Sequence, residues 1–182
     1  MTLTTSTPQR VNGGAVIVLS AGTGHDPVAP GPGGLTDRSD GYQAPMTQEQ
    51  DREAGDRDGP RVLLVDDAAA IRNALRGVLE DAGIEVVGEA PDGLQGVAMT
   101  GSLRPDVVLM DLRMPSTDGF QATEQIVQDH PRVRVVVLSA CETDESAEAV
   151  LAAGAFAFLP KHCGADRIRE VVVAAWQSAR GD

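Results

Sequence analysis

The chain has 182 residues and a formal net charge of -12, with eight acidic and four basic residues in 1–60 and nineteen and eleven in 61–182. That balance lacks the clustered basic surface needed to neutralise nucleic-acid phosphates, so direct nucleic-acid binding is not expected. Cys141 and Cys163 are too few for a disulfide framework, and there is neither a signal-peptide pattern nor a run near the roughly 20 apolar residues of a membrane span, which predicts a cytoplasmic protein with reduced thiols and no membrane partner.

Residues 1–60 are rich in Gly, Pro, Thr, Asp and Gln, as in APGPGGLTDRSDG and QEQDREAGDRDG. Such a segment buries too little apolar surface to offset its ordering entropy and is expected to be a disordered extension. Its one apolar run, Ala15 to Leu19, is read as incidental, and Met46 is an alternative start of translation.

From Arg61 the pattern changes, and residues 61–180 read as one domain. Short apolar runs at Val62–Val65, Glu85–Gly88, Val107–Met110, Val133–Leu138 and Phe156–Leu159 suit strands buried on both faces of a parallel sheet. Helical spacings lie between and after them: Ile71, Leu75, Val78 and Leu79; Ala147, Val150, Leu151 and Gly154; Ile168, Val171, Val172 and Ala175. Gly83 suits a helix stop, and Asp92, Asp118 and Thr143 suit N-caps. The alternation, strand then helix five times over, predicts a doubly wound α/β domain with a five-stranded parallel sheet.

In such sheets ligands gather at the carboxyl ends of the strands. There the chain places Asp66 and Asp67, then Asp111, then Ser139, and finally Lys161, the single lysine among fifteen basic residues. Three carboxylates with no basic cluster around them predict a hard divalent cation, and Mg²⁺, which takes a couple of carboxylates and a phosphate oxygen, fits best. With that charge offset, Asp111 can attack a phosphoryl group. Ser139 can donate to one phosphoryl oxygen, and Lys161 can clamp another.

These residues resemble the receiver domains of two-component response regulators. The likeness rests on Asp66-Asp67, on DLRMPSTDG from Asp111 to Gly119, on Ser139-Ala140, on AAGAFAFLPK from Ala152 to Lys161, and on a closing helix. It implies a flavodoxin-like receiver fold with strand order 2-1-3-4-5. It also implies that Asp111 accepts a phosphoryl group from a histidine kinase or phosphotransfer protein. Asp67, Asp111 and the backbone carbonyl of Arg113 would ligate Mg²⁺, with Asp66 acting through water. Ser139 and Phe158 would be the switch pair, the hydroxyl moving toward the phosphoryl group as the ring turns inward. The surface of residues 143–179 would change partners, and a homodimer formed on phosphorylation is a further expectation.

The chain departs from the family pattern at several points. Phe158 stands where many relatives have Tyr, and His162 where many have Pro. Arg113 and Cys141 occupy the variable positions that influence dephosphorylation. His25, His130 and His162 show no metal-ligand spacing and read as solvated, while Trp176 reads as packing or partner surface. The chain ends soon after the fifth helix, with no room for a DNA-binding module, so a stand-alone response regulator is expected. Three alternatives stand beside it: a truncated or partner-dependent transcriptional regulator, a receiver-fold module that is never phosphorylated, and an aspartyl-phosphate hydrolase. The hydrolase is disfavoured because Arg113 occupies the position of its second acid.

Overall fold

The computed structural model describes residues 58–115, 119–140 and 144–180. Within them, five strands and five helices alternate: β1 (Arg61–Val65), α1 (Ala69–Glu80), β2 (Glu85–Ala90), α2 (Gly93–Leu103), β3 (Val107–Asp111), α3 (Gly119–Asp129), β4 (Arg134–Ser139), α4 (Asp144–Ala152), β5 (Ala157–Pro160) and α5 (Ala165–Arg180). The sheet is parallel throughout, with order β2-β1-β3-β4-β5. This is the doubly wound architecture that the alternation predicts. The disordered extension expected for residues 1–60 lies almost entirely outside the described residues, as do the proposed caps Asp118 and Thr143, and Cys141 and His25.

The strands read as continuous apolar runs because both of their faces are covered. Val62 and Leu64 of β1, Val107 and Leu109 of β3, and Ala157 and Leu159 of β5 pack in one core with Leu75 and Leu79 of α1 and Val171 and Val172 of α5. The alternate residues Leu63, Val65, Val108, Met110 and Phe158 pack in a second core with Ala122 and Ile126 of α3 and Val150 of α4. Strand order turns back after β2, so crossovers of one hand place α1 and α2 on opposite faces of the sheet.

Local chemistry sets several boundaries. The Asp92 carboxylate accepts the Gln95 backbone N–H and caps α2, as its position predicts. Gly83, at φ +74°, turns the chain after α1. Strand β2 continues past Gly88 to Ala90 because the register shifts there, Val62 facing Val86 and Leu63 facing Gly88. The bare Cα of Gly88 makes room for Met99 and Leu103 of α2, where a Cβ would lie 2.8 and 2.7 Å from their methyl carbons.

Two readings from periodicity and one from histidine spacing differ in the structure. Ile71, expected on the buried stripe of α1, is 37% exposed, whereas Leu75 and Leu79, one and two turns further along the helix, are buried in the core. Gly154 is not on a helical face: α4 ends at Ala152, and Gly154, at φ +97°, turns the chain toward β5 against Val127. His130, read as solvated, is half-buried, its ring facing the bare Cα of Gly101 in α2, where an added Cβ would lie 3.7 Å from Nε2.

Candidate functional site

Register brings the first two acids together. Val65 of β1 pairs with Met110 of β3, so one residue further Asp66 stands beside Asp111, on adjacent strands about 4.8 Å apart. Alternation aims both toward the face covered by α1 and α5, the face that Lys161 also reaches two residues after Leu159. The Lys161 ammonium consequently bridges them, 2.6 Å from Asp66 Oδ2 and 2.8 Å from Asp111 Oδ2. Its backbone N–H donates to the Ser139 carbonyl at 2.8 Å, tying the end of β5 to the end of β4.

Both bridged acids are nearly inaccessible, Asp66 at 2% and Asp111 at 3% exposure. Burial pulls the Lys161 ammonium toward deprotonation, but the hydrogen bonds with Asp111 and then Asp66 outweigh it and hold its pKa above the usual lysine value. The remaining oxygens are also engaged: Asp66 Oδ1 accepts the Ala68 N–H at 2.9 Å, and Asp111 Oδ1 accepts the Arg113 N–H at 3.2 Å.

Asp67 differs from its neighbour. It is exposed, and among the described residues no hydrogen bond or ion pair holds its carboxylate. Carboxylate oxygens of Asp66, Asp67 and Asp111 nevertheless lie within 4.8 Å of one another. An all-oxygen set with one unengaged, solvent-facing carboxylate has the donor chemistry of a Mg²⁺ site that keeps several waters.

Ser139 ends β4 on the opposite face of the sheet and is 1% exposed. Beside it opens a cleft of about 240 Å³, bounded by Arg113 and Phe120 on one side and Ser146, Ala149 and Val150 of α4 on the other. Phe158 shares that face, pairs across to Val137, and is already buried at 4% exposure. The predicted site residues therefore form two sets at one sheet edge: the four charged side chains, and the Ser139–Phe158 pair on the α4 side.

Gly119 belongs to the site although its role is invisible in the sequence. A Cβ there would stand 2.1 Å from the Asp111 carbonyl oxygen and 2.8 Å from Leu112 Cα, so only glycine lets α3 start against the end of β3. Arg72 and Glu89 were also unforeseen. The guanidinium of Arg72 donates to the Asp66 carbonyl at 2.6 Å and to Glu89 at 3.0 Å, and Arg76 donates to the other Glu89 oxygen at 2.7 Å. The hydrogen bond with Arg76 holds Glu89 below the usual carboxylate range, burial opposing and Arg72 adding to it. The only sequence signal was an arginine four residues before another on α1, with a glutamate in β2.

Comparison with known proteins bears on the family and the fold. Residues 62–173 match the model of the response regulator receiver domain. The chain is 41% identical over 116 residues to the transcriptional regulatory protein LiaR of Bacillus subtilis, covering 63% of this chain and 55% of that protein. It is 37% identical over 114 residues to the chemotaxis protein CheY of Thermotoga maritima, covering 63% and 95%. The receiver domain of the putative response regulator NarL from Mycobacterium tuberculosis superposes with a TM-score of 0.61 at 31% identity, covering 69% of this chain and all of that one. The chain spans about half the length of several curated response regulators that it matches, from 49% to 55%. With its strand order, its acidic edge and this match over most of the described residues, the chain belongs to the response regulator receiver domain family of two-component systems.

Proposed function

We propose that the protein is a phosphoacceptor switch in which Asp111 takes a phosphoryl group from a phosphohistidine of a histidine kinase or phosphotransfer protein. The observation that carries this reading is the Lys161 bridge between two buried acids brought level by strand register, with a third, unengaged acid beside them. An Asp111 oxygen forms the new O–P bond as the N–P bond of the donor breaks, and the imidazole leaves and is reprotonated. Asp66, Asp67, Asp111 and the Arg113 carbonyl would hold Mg²⁺, which supplies the positive charge that offsets the phosphoryl oxygens. Lys161 remains protonated and can move from the Asp111 oxygen to a phosphoryl oxygen, and Ser139 can donate to another.

Output follows through protein contacts of residues 143–179, with Ser139 and Phe158 coupling that surface to the site, and a homodimer on phosphorylation is part of the same reading. The chain acts as a signalling domain rather than as an enzyme on external substrates, its turnover limited to its own phosphorylation and dephosphorylation. No helix among the described residues is long and apolar enough to cross a membrane, and a cytoplasmic location suits the kinase donor. The test is intact-protein mass after incubation with acetyl phosphate and Mg²⁺, beside Asp111→Asn and a metal-free sample. One added phosphoryl group in the wild type with metal alone supports the reading. Absence of that adduct, together with absence of beryllofluoride binding, overturns it.

A further inference from the structure

We infer that Arg72 is a positioning residue that sets the Mg²⁺ affinity of the acidic pair, an inference that rests on the metal site proposed above. Mg²⁺ demands near-ideal octahedral geometry, so small displacements of its carboxylates weaken it. Asp66 is fixed by its side chain, but nothing among the described residues fixes the carboxylate of Asp67. Its reach toward the other two acids is therefore limited by where the backbone puts its Cα–Cβ bond, and that backbone is held by Arg72. The guanidinium Nη1 donates to the Asp66 carbonyl at 2.6 Å and lies 3.4 Å from the Asp67 carbonyl, while Nε is anchored on Glu89 at 3.0 Å.

The placement of Arg72 also runs against its own helix. It sits in the first turn of α1, where the helix dipole disfavours a cation, and Glu89 of β2 supplies the compensating charge. Glu89 is gripped from the other side by Arg76 at 2.7 Å, which bonds no atom of the Asp66-Asp67 turn. Two arginines thus strap α1 to β2, but only one reaches the acidic turn.

Charge and positioning predict opposite signs. Removing a guanidinium near a divalent cation lowers the local positive potential and should tighten binding. Loosening the turn should weaken it, and changes to groups that orient metal ligands typically weaken affinity by about 10- to 100-fold.

The experiment is calorimetric titration of MgCl₂ into the full chain for wild type, Arg72→Ala, Arg72→Lys and Arg76→Ala, with metal-free melting temperatures alongside. Arg72→Ala is expected to weaken Mg²⁺ binding about tenfold. Arg72→Lys, which keeps the charge but cannot span both partners, should weaken it severalfold, and it serves if the alanine variant does not fold. Arg76→Ala should lower the melting temperature and leave affinity within about twofold. Unchanged or tighter binding in the Arg72 variants, or equal weakening in Arg76→Ala, overturns the positioning role. A wild type that takes up no Mg²⁺ refutes the proposed metal site itself, a different result.

Discussion

Replacing Lys161 by Met keeps most of the stem and removes the charge that separates Asp66 from Asp111. Oxygens of the two carboxylates lie within 4.8 Å of each other. At that separation two ionised groups repel by about 0.9 kcal/mol in water and about 3.5 kcal/mol at an effective dielectric near 20. The ammonium side chain is 20% exposed and the carboxylates 3%, so the site falls between those limits. Two short charge-assisted hydrogen bonds vanish as well, while the cost of desolvating the ammonium is relieved. A net loss of about 2–3 kcal/mol is expected, below the roughly 3–5 of a fully buried pair. Urea unfolding followed by circular dichroism in metal-free buffer measures it, and excess Mg²⁺ should close at least half of the gap.

The pH dependence of that gap has a definite sign. The folded-state pKa of Lys161 is raised above 10.5, so its contribution is fully present below that value and is lost as pH climbs through the higher folded-state value. The wild-type advantage should therefore be flat between about pH 7 and 9 and fade only in stronger alkali. Equal stability of Lys161→Met and wild type near neutral pH without metal would refute the electrostatic account, as would a gap that fades below about pH 9.

The other expectations concern packing, capping and thiol chemistry. Gly119→Ala pushes a methyl against the Asp111 carbonyl and Leu112 Cα, backbone atoms with no freedom to yield, and should lose about 3 kcal/mol together with phosphoryl uptake. A variant with an unchanged urea midpoint would show that α3 does not start as tightly as described. Asp92→Ala removes the α2 cap and should lower stability by about 1 kcal/mol while leaving acetyl-phosphate labelling intact. Burial holds the Cys163 thiol above its usual 9.0, so in a Cys141→Ser background it should react with a disulfide reagent more slowly than free cysteine near pH 8, faster as pH rises. Reaction as fast as the free amino acid would contradict that burial.

The alternation of strands and helices, and the chemistry available at one sheet edge, were legible in the amino-acid sequence alone. Apolar runs bounded by turn residues are a local signal, and an acid that closes an apolar strand marks its carboxyl end. It also showed Lys161 as the single lysine of the chain. Other properties depend on neighbours distant in the chain. The sequence could not separate Asp66 from Asp67, yet register and alternation bury the first against Lys161 and leave the second facing solvent. Periodicity placed Ile71 inside, but the periodic pattern does not show which turns of α1 meet the core, and Leu75 and Leu79 do while Ile71 does not. The clamp of Arg72 on Glu89 joins residues seventeen positions apart, and the contact of Gly119 with Asp111 depends on where α3 begins. A residue's chemistry is written in its side chain, whereas its partner and its exposure follow from how strands pair and helices settle upon them.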